Sequence, residues 1–307
     1  VGGVGEGGFV ITIKEDATME HRLSPKAIAI PCGAAALALS AWTVWGNTAL
    51  TVTPVTVASR RIPAGFSGYR IAHLSDLHNA RFGRGNVKLL KLLAGTGPDI
   101  TVITGDLVDS RHTDIPIVLD FVKEAVKIAP IYYVPGNHEA RLDQYPDIRA
   151  ALTAAGATVL EDQIAPLTRG GDTVTLAGLA DPHFTIRKHP FRRVRVPALV
   201  RRRLRGLIRR EEGYHILLSH RPDLFPSYAR CGVDLAFCGH AHGGQARLPL
   251  LGGLYAPNQG LLPRYDAGLY TRGNCRMVVS RGIGNSSCPL RFNDRPEVVV
   301  VELRRET

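Results

Sequence analysis

The sequence predicts an α/β domain with a mostly parallel sheet, and three observations carry that expectation. Short apolar runs of strand length alternate with segments of helical spacing. Five of the runs end in polar clusters rich in Asp, His, Asn and Gly. The 307 residues suffice for one large α/β domain, or two small ones, with a sizeable core. Alternating strand and helix implies parallel pairing, and in such sheets ligands gather beyond the carboxyl ends of the strands.

In chain order, residues 1–18 are glycine-rich, patternless and precede Met19. They read as a start-site extension or a disordered tail, and residues 1–26 are set apart from the fold. No charge occurs from Ala27 to Ser59, and Ala27–Trp45 is one apolar run with Trp42 and Trp45 at its far end. A membrane span needs roughly 20 such residues, with aromatics at the interface. Residues 27–49 are therefore expected to be a transmembrane signal anchor; a cleaved signal peptide, a buried helix and an Ala-rich linker are the competing readings. The run exceeds a typical signal-peptide core and has no convincing small-residue cleavage site. Arg22 and Lys26 before it and Arg60 and Arg61 after it leave the side of the membrane open. Residues 50–67 read as a linker, and 68–307 as the main folded domain.

Tyr69–Leu74 is a short strand running into Ser75-Asp76-Leu77-His78. Helical spacing over Val87–Leu93 leads to a strand at Asp99–Thr104, which ends at Gly105-Asp106-Leu107-Val108-Asp109. A helix over Ile115–Ile128 precedes a strand at Ile131–Val134, ending at Pro135-Gly136-Asn137-His138-Glu139. Further strands are expected at Thr173–Ala177, at His215–Leu218 before Ser219-His220-Arg221-Pro222-Asp223, and at Val233–Phe237 before Cys238-Gly239-His240-Ala241-His242-Gly243-Gly244-Gln245. Cys275–Val279 and Glu297–Leu303 are apolar enough to be core strands.

The polar clusters collect oxygen and nitrogen donors without thiolate: Asp76, His78, Asp106, Asn137, His220, His240 and His242. Such a set suits Mn, Fe or Zn. In an extended segment His240 and His242 would share a face, Cα atoms roughly 6.6 Å apart, each reaching a different ion of a close pair. One carboxylate, Asp106, can bridge both ions. Two carboxylates, two divalent ions and a hydroxide leave a net positive centre that attracts phosphate and acidifies a bound water. His138 points away from its neighbour Asn137 and is the candidate to bind phosphate and protonate the leaving oxygen. Taken singly, a Gly-Asp at a strand end is a turn and a buried histidine a core residue; it is their joint occurrence at strand ends that points to chemistry.

Asp76-x-His78, Gly105-Asp106-x-x-Asp109, Gly136-Asn137-His138-Glu139, His220 and Gly239-His240-x-His242 together resemble the signature blocks of calcineurin-like metallophosphoesterases, across about Tyr69–Leu303. Ser219–Asp223, His242–Gln245 and Ser280-Arg281-Gly282-Ile283-Gly284 resemble its bacterial membrane-associated branch, whose relatives include lipid-linked phosphodiesterases. The resemblance implies a four-layer α/β/β/α sandwich with two divalent ions. By position, Asp76, His78, Asp106 and His242 would hold one ion and Asp106, Asn137, His220 and His240 the other. A metal-bridging hydroxide would attack phosphorus, with His138 assisting departure. Ser110-Arg111 departs from the Ser/Thr protein phosphatases, and Asp109 stands where purple acid phosphatases place a tyrosine; Asp109 itself reads as a supporting residue.

Lys and Arg number 38 against 27 acids, and all of the +11 excess falls between Arg187 and Arg210, where eleven cations meet no acid. A basic amphipathic helix from Val196 to Arg210, with Val200, Leu204, Leu207 and Ile208 on one face, suits contact with anionic membrane lipid. The rival partner, nucleic acid, would call for aromatics interleaved with the arginines, and Val196–Arg210 has none. The five cysteines form no CxxC pair and leave one over, so neither a zinc knuckle nor a disulfide framework is indicated; Cys275 and Cys288 could pair. Cys238 reads as a small core residue. Gly282, Gly284, Asn285 and Ser286 form a turn whose N–H groups could meet an anion, a weak signal beside a plain loop.

The expected function is a membrane-anchored dimetal phosphoesterase acting on an anionic phosphodiester or phospholipid-like substrate. A nuclease or nucleotide phosphodiesterase using the same centre, and a non-enzymatic binding module on this fold, are the alternatives.

Overall fold

The computed structural model describes residues 25–189, 191, 193–208, 213–285, 288 and 290–306. Residues 1–24 of the expected tail, Arg192, Arg209 and Arg210 of the basic segment, and Ser286 lie outside the described residues. The chain divides into two compact units, Val1–Ala41 and Trp42–Thr307.

In chain order the regular elements are α1 (Pro25–Thr48), β1 (Thr51–Ser59), β2 (Arg70–Leu74), α2 (Val87–Thr96), β3 (Ile100–Thr104), α3 (Ile115–Ala125), β4 (Ile131–Val134), α4 (Tyr145–Ala154) and β5 (Thr158–Val159). Then follow β6 (Gln163–Arg169), β7 (Asp172–Leu179), α5 (His183–Lys188), α6 (Val196–Leu207), β8 (His215–Ser219), α7 (Phe225–Arg230) and β9 (Leu235–Cys238). Two short hairpins, β10 (Arg247–Leu248) with β11 (Gly252–Gly253) and β12 (Tyr255–Ala256) with β13 (Gly260–Leu261), precede β14 (Gly268–Arg272), β15 (Cys275–Val279) and β16 (Glu297–Arg305).

Within α1, residues Ala29–Thr48 are long and apolar enough to cross a membrane, a property a signal sequence shares. Only 6% of its apolar window is buried, so the buried-helix reading falls. Pro31 sits inside the helix without ending it.

Two six-stranded sheets carry the rest, in the orders β1-β16-β2-β3-β4-β5 and β14-β15-β9-β8-β7-β6. The stretches β2-β3-β4-β5 and β15-β9-β8-β7 are parallel. β3 and β8 are buried on both faces, which explains why their sequences are continuous apolar runs instead of alternating ones. Ile71, Val102 and Val134 of one sheet share a core with Leu176, Ile216 and Phe237 of the other. Leu89, Leu93, Phe121 and Leu152 of α2, α3 and α4 pack on the first sheet, and Val200, Leu204, Phe225 and Tyr228 of α6 and α7 on the second.

The linker expected at 50–67 is corrected. Thr51–Ser59 pairs in parallel with β16 along its whole length, from Thr51 opposite Glu297 to Ser59 opposite Arg305. Its alternating Thr and Val suit a pleated, half-buried surface. Pro54 is tolerated because β1 is the edge of its sheet. Ile62 and Phe66 are fully buried between the sheets, so 60–67 also belongs to the domain.

Cys275, buried, and Cys288, exposed, are not joined in a disulfide, and Cys238 has no exposed surface. The turn at Gly282 donates elsewhere: Ile283 N–H to Ser75 O at 3.0 Å and Gly284 N–H to Asp76 O at 2.7 Å. It braces the Asp76 loop instead of offering an anion site. The cations of the basic segment are not all unopposed either. Arg187 pairs with Asp143, and Arg203 with Asp162 at 3.3 Å. Opposing acids arrive from other elements, which a count along the chain does not register.

Candidate metal centre

The seven sequence-predicted donors lie at the carboxyl ends of five strands: Asp76 and His78 after β2, Asp106 after β3, Asn137 after β4, His220 after β8, and His240 and His242 after β9. All seven are buried. Their loops bend sharply, because Asp76, His78, Asp106, His240 and His242 all adopt positive φ, between 46° and 66°. Such backbone is uncommon for side chains with a Cβ and persists where surrounding contacts over-determine it. Here His78 N–H donates to Asp106 O at 3.0 Å, and His240 N–H to the Asp76 carboxylate at 3.0 Å. A Cβ at Gly239 would stand 1.8 Å from Ser75 Oγ, and one at Gly136 would stand 2.2 Å from Asp106 Oδ1. Both glycines are therefore required for the loops to close on one another.

The donors fall into two groups that meet at Asp106. In the first, His78 Nε2 lies 3.3 Å from His242 Nε2, 3.8 Å from Asp76 Oδ1 and 3.7 Å from Asp106 Oδ2. His242 Nε2 is 3.4 Å from Asp76 Oδ1. In the second, His220 Nε2 is 3.1 Å from Asp106 Oδ2, 3.2 Å from Asn137 Oδ1 and 3.1 Å from His240 Nδ1. His240 and His242 thus enter different groups, and not by sharing the face of an extended strand. His240 has φ 66° and His242 opens a tight turn, and it is this bend that separates the rings.

Outer partners fix which ring atoms face inward. His220 Nδ1–H donates to Thr104 O at 2.7 Å, and His240 Nε2–H to Asn258 Oδ1 at 2.8 Å. His220 Nε2 therefore faces the Asp106 carboxylate and the Asn137 amide oxygen, and His240 Nδ1 faces His220 Nε2. Oxygen and nitrogen ligand atoms converging at these distances, with outer partners fixing their orientation, fit a divalent ion. Burial works against a charged His220, but the adjacent Asp106 carboxylate outweighs it and carries the pKa up to about 10. Burial likewise disfavours the charged Asp106, and His220 reverses this, holding the carboxyl well below its usual range. Burial lowers His78 and His242 to about 3 and His240 well below the ordinary imidazole value. These rings stay neutral, the form that ligates metal.

Several supporting residues were not singled out from sequence. Glu139, fully buried, accepts the backbone N–H groups of Asp106 at 2.9 Å, Gly136 at 2.8 Å and Val108 at 3.2 Å. Burial and the nearby Asp106 push its pKa up to about 7 against those three bonds. Arg221 is clamped by Asp181, Nε to Oδ2 at 2.7 Å, and donates Nη1–H to Asn258 Oδ1 at 2.5 Å. Ser110 N–H donates to His138 Nδ1 at 3.0 Å. Arg291, fully buried, reaches His242 Nδ1 at 3.4 Å and Gly284 O at 2.6 Å. Asp109 takes the supporting place expected of it, 3.7 Å from His78 Nδ1 and 3.8 Å from His138 Nδ1. Glu139 and Arg221 sit inside quoted motifs, so their proximity was visible; Asn258 and Arg291 come from distant loops and left no local signal.

An open cavity of about 410 Å³ lies over the centre, lined by Asp106, Asn137, His138, His240 and His242 and walled by Arg111, Arg141, His183 and Arg221. Among the described residues its one carboxylate is Asp106, so the wall is cationic around the donors and suited to an anion.

The family profile of calcineurin-like phosphoesterases matches residues 69–244. The chain belongs to the calcineurin-like phosphoesterases. It is accordingly a phosphate-ester hydrolase, and the matched residues contain all seven donors. A Bacillus subtilis metallophosphoesterase of uncharacterised role, YkuE, is 30% identical over 83% of this chain and 86% of its own. Phosphodiesterase YaeI of Escherichia coli is 30% identical over 76% of this chain and 82% of its own. A transmembrane protein with a metallophosphoesterase domain from Danio rerio is 26% identical over 83% of this chain and 57% of its own.

Proposed function

We propose that this calcineurin-like phosphoesterase hydrolyses a phosphodiester or phospholipid-like substrate with the help of two divalent ions. The observation that carries the proposal is the pair of donor groups sharing Asp106. In this reading Asp76, His78, Asp106 and His242 hold one ion, and Asp106, Asn137, His220 and His240 the other. The thiolate-free donor set suits Mn, Fe or Zn. When bound, such a pair supplies Lewis-acid polarisation of a phosphoryl oxygen and an acidified water.

The chain's own residues do the rest. Because His138 Nδ1 accepts the Ser110 N–H, its ring proton sits on Nε2. His138 lines the cavity, where Nε2–H can donate to a phosphoryl oxygen or to the departing ester oxygen. Arg111, Arg141 and Arg221 surround an anionic ester with charge-assisted donors. Glu139, by holding the backbone of Asp106 and Gly136, keeps two of the donor loops in register.

The Escherichia coli relative named a phosphodiesterase supports diester chemistry. The apolar helix and the Danio rerio relative named a transmembrane protein support a membrane anchor over residues 27–49, with the catalytic domain following from residue 50. The exposed cations of the basic segment, Arg193, Arg195, Arg202 and Arg205 among them, are assigned to anionic headgroups. The test is hydrolysis by the full chain in detergent, stripped with chelator and titrated with Mn²⁺, comparing bis(p-nitrophenyl) phosphate with p-nitrophenyl phosphate. Metal-restored turnover with kcat/KM at least tenfold higher for the diester supports the proposal. Turnover of the monoester alone contradicts it.

A further inference from the structure

The strongest unexplained surface lies between β9 and β14, where Arg247–Tyr265 forms the two short hairpins. The segment contains no acid and two arginines, Arg247 and Arg264. Much of its apolar surface faces outward: Leu250 is fully exposed, Leu261 80%, Leu251 63%, Leu262 58% and Tyr255 53%, while Ala256 and Tyr265 are buried. A soluble surface rarely groups leucines so closely, and such patches mark interaction sites.

What covers the patch is indicated by what stands at its base. Arg247 N–H donates to Phe292 O at 2.9 Å, and Asn293 Nδ2–H reaches Arg247 O at 3.5 Å. The Oδ1 of the same Asn293 accepts Trp42 Nε1–H at 2.9 Å. Asn47 also bonds Arg291, accepting its N–H at 3.0 Å and donating to its carbonyl at 3.1 Å. Trp42–Thr48, the last turns of α1, belong to the same compact unit as the sheets. The leucine-bearing hairpins therefore start one side chain away from where the apolar helix joins the domain. Trp42 and Trp45, with Arg295 4.6 Å over the Trp45 ring, form the aromatic and cationic girdle expected at headgroup level. The hairpins are fastened rather than loose, since Asp266 accepts both Arg247 Nη1–H at 2.9 Å and Gly253 N–H at 2.7 Å.

We infer that the Arg247–Tyr265 hairpins are a second, interfacial membrane contact, dipping Leu250, Leu251, Leu261 and Leu262 into the headgroup boundary on the side of Trp42 and Trp45. Tyr255, Pro257 and Asn258 of the same segment line the cavity over the metal centre. The contact therefore sets the cavity mouth at the bilayer surface, where a phosphoester in a lipid headgroup is presented. The inference rests on reading α1 as a membrane anchor.

The test uses the full chain with Cys32→Ser and Cys288→Ser and an environment-sensitive fluorophore on Leu250→Cys, reconstituted in phosphatidylcholine/phosphatidylglycerol vesicles containing nitroxide lipid. The control carries the fluorophore on Asn274→Cys, in the β14–β15 turn at the strand ends away from the centre. The Leu250 probe is expected to be quenched at least threefold more than the control. Equal quenching, while brominated lipid still quenches Trp42 and Trp45, overturns the inference and leaves the anchor standing. Unquenched tryptophans overturn the anchor and the inference with it. A Leu250 signal that follows protein concentration and ignores lipid quencher assigns the patch to a second copy of the chain, which also overturns it.

Discussion

Asn258 Oδ1 accepts a hydrogen bond from His240 Nε2–H at 2.8 Å, and so decides which nitrogen of His240 faces Asp106 and His220. The same oxygen is held by Arg221, which is itself locked to Asp181. Removing such an outer partner typically costs about 10–100-fold in metal affinity. Asn258→Ala should therefore weaken binding at one of the two ion sites by about that factor while the other is little changed. Calorimetric Mn²⁺ titration of the folded variant reads this directly; two unaltered affinities would remove Asn258 from the centre.

The far end of the sheets gives a pH prediction free of the metal donors. Asp234 accepts Arg61 Nε–H at 2.6 Å and His215 N–H at 2.8 Å. Burial pushes its carboxyl up, yet the bonds from His215 and Arg61 outweigh that and leave its pKa below the ordinary value. A depressed folded pKa contributes stability that is complete above the unfolded value and is lost as pH falls through the folded one. Asp234→Asn should be about 1–2 kcal/mol less stable than the native chain at pH 7. The gap should close as pH drops below about 4, the unperturbed aspartate value. Urea unfolding at the two pH values checks it; a gap that widens in acid would contradict the assignment.

Strand β1 sets where the catalytic domain starts. A chain beginning at Ala49 should unfold in one cooperative transition, whereas one beginning at Arg61 loses every partner of β16 on that side and should not. Thermal melts of the two distinguish the outcomes. Equal melting temperatures would make β1 dispensable.

Much of this was legible in the chain, and the parts that were not share a cause. Asp76, His78, Asp106, Asn137, His220, His240 and His242 follow apolar runs, so a local pattern placed each at a strand end. Contacts made across large sequence separations leave no such pattern. β1 pairs with a strand some 240 residues away, and its Thr-Val alternation was hidden beside an uncharged apolar run. Asn258 and Arg291 reach the centre from loops whose local sequence says nothing of histidines. The basic segment looked unopposed because Asp143 and Asp162, which meet Arg187 and Arg203, precede it by tens of residues. His240 and His242 fall in different donor groups because two positive-φ residues, not strand geometry, part the rings.

The central claim is that Asp106 is the donor shared by two ions. The most direct measurement is the number of Mn²⁺ ions retained per chain, with the electron paramagnetic resonance of the bound metal, for the native protein and Asp106→Asn. The account predicts two ions per native chain with a magnetically coupled spectrum, and in Asp106→Asn loss of the coupling with at most one tightly held ion. Two uncoupled ions in the native chain, or a coupled pair that survives Asp106→Asn, would contradict it.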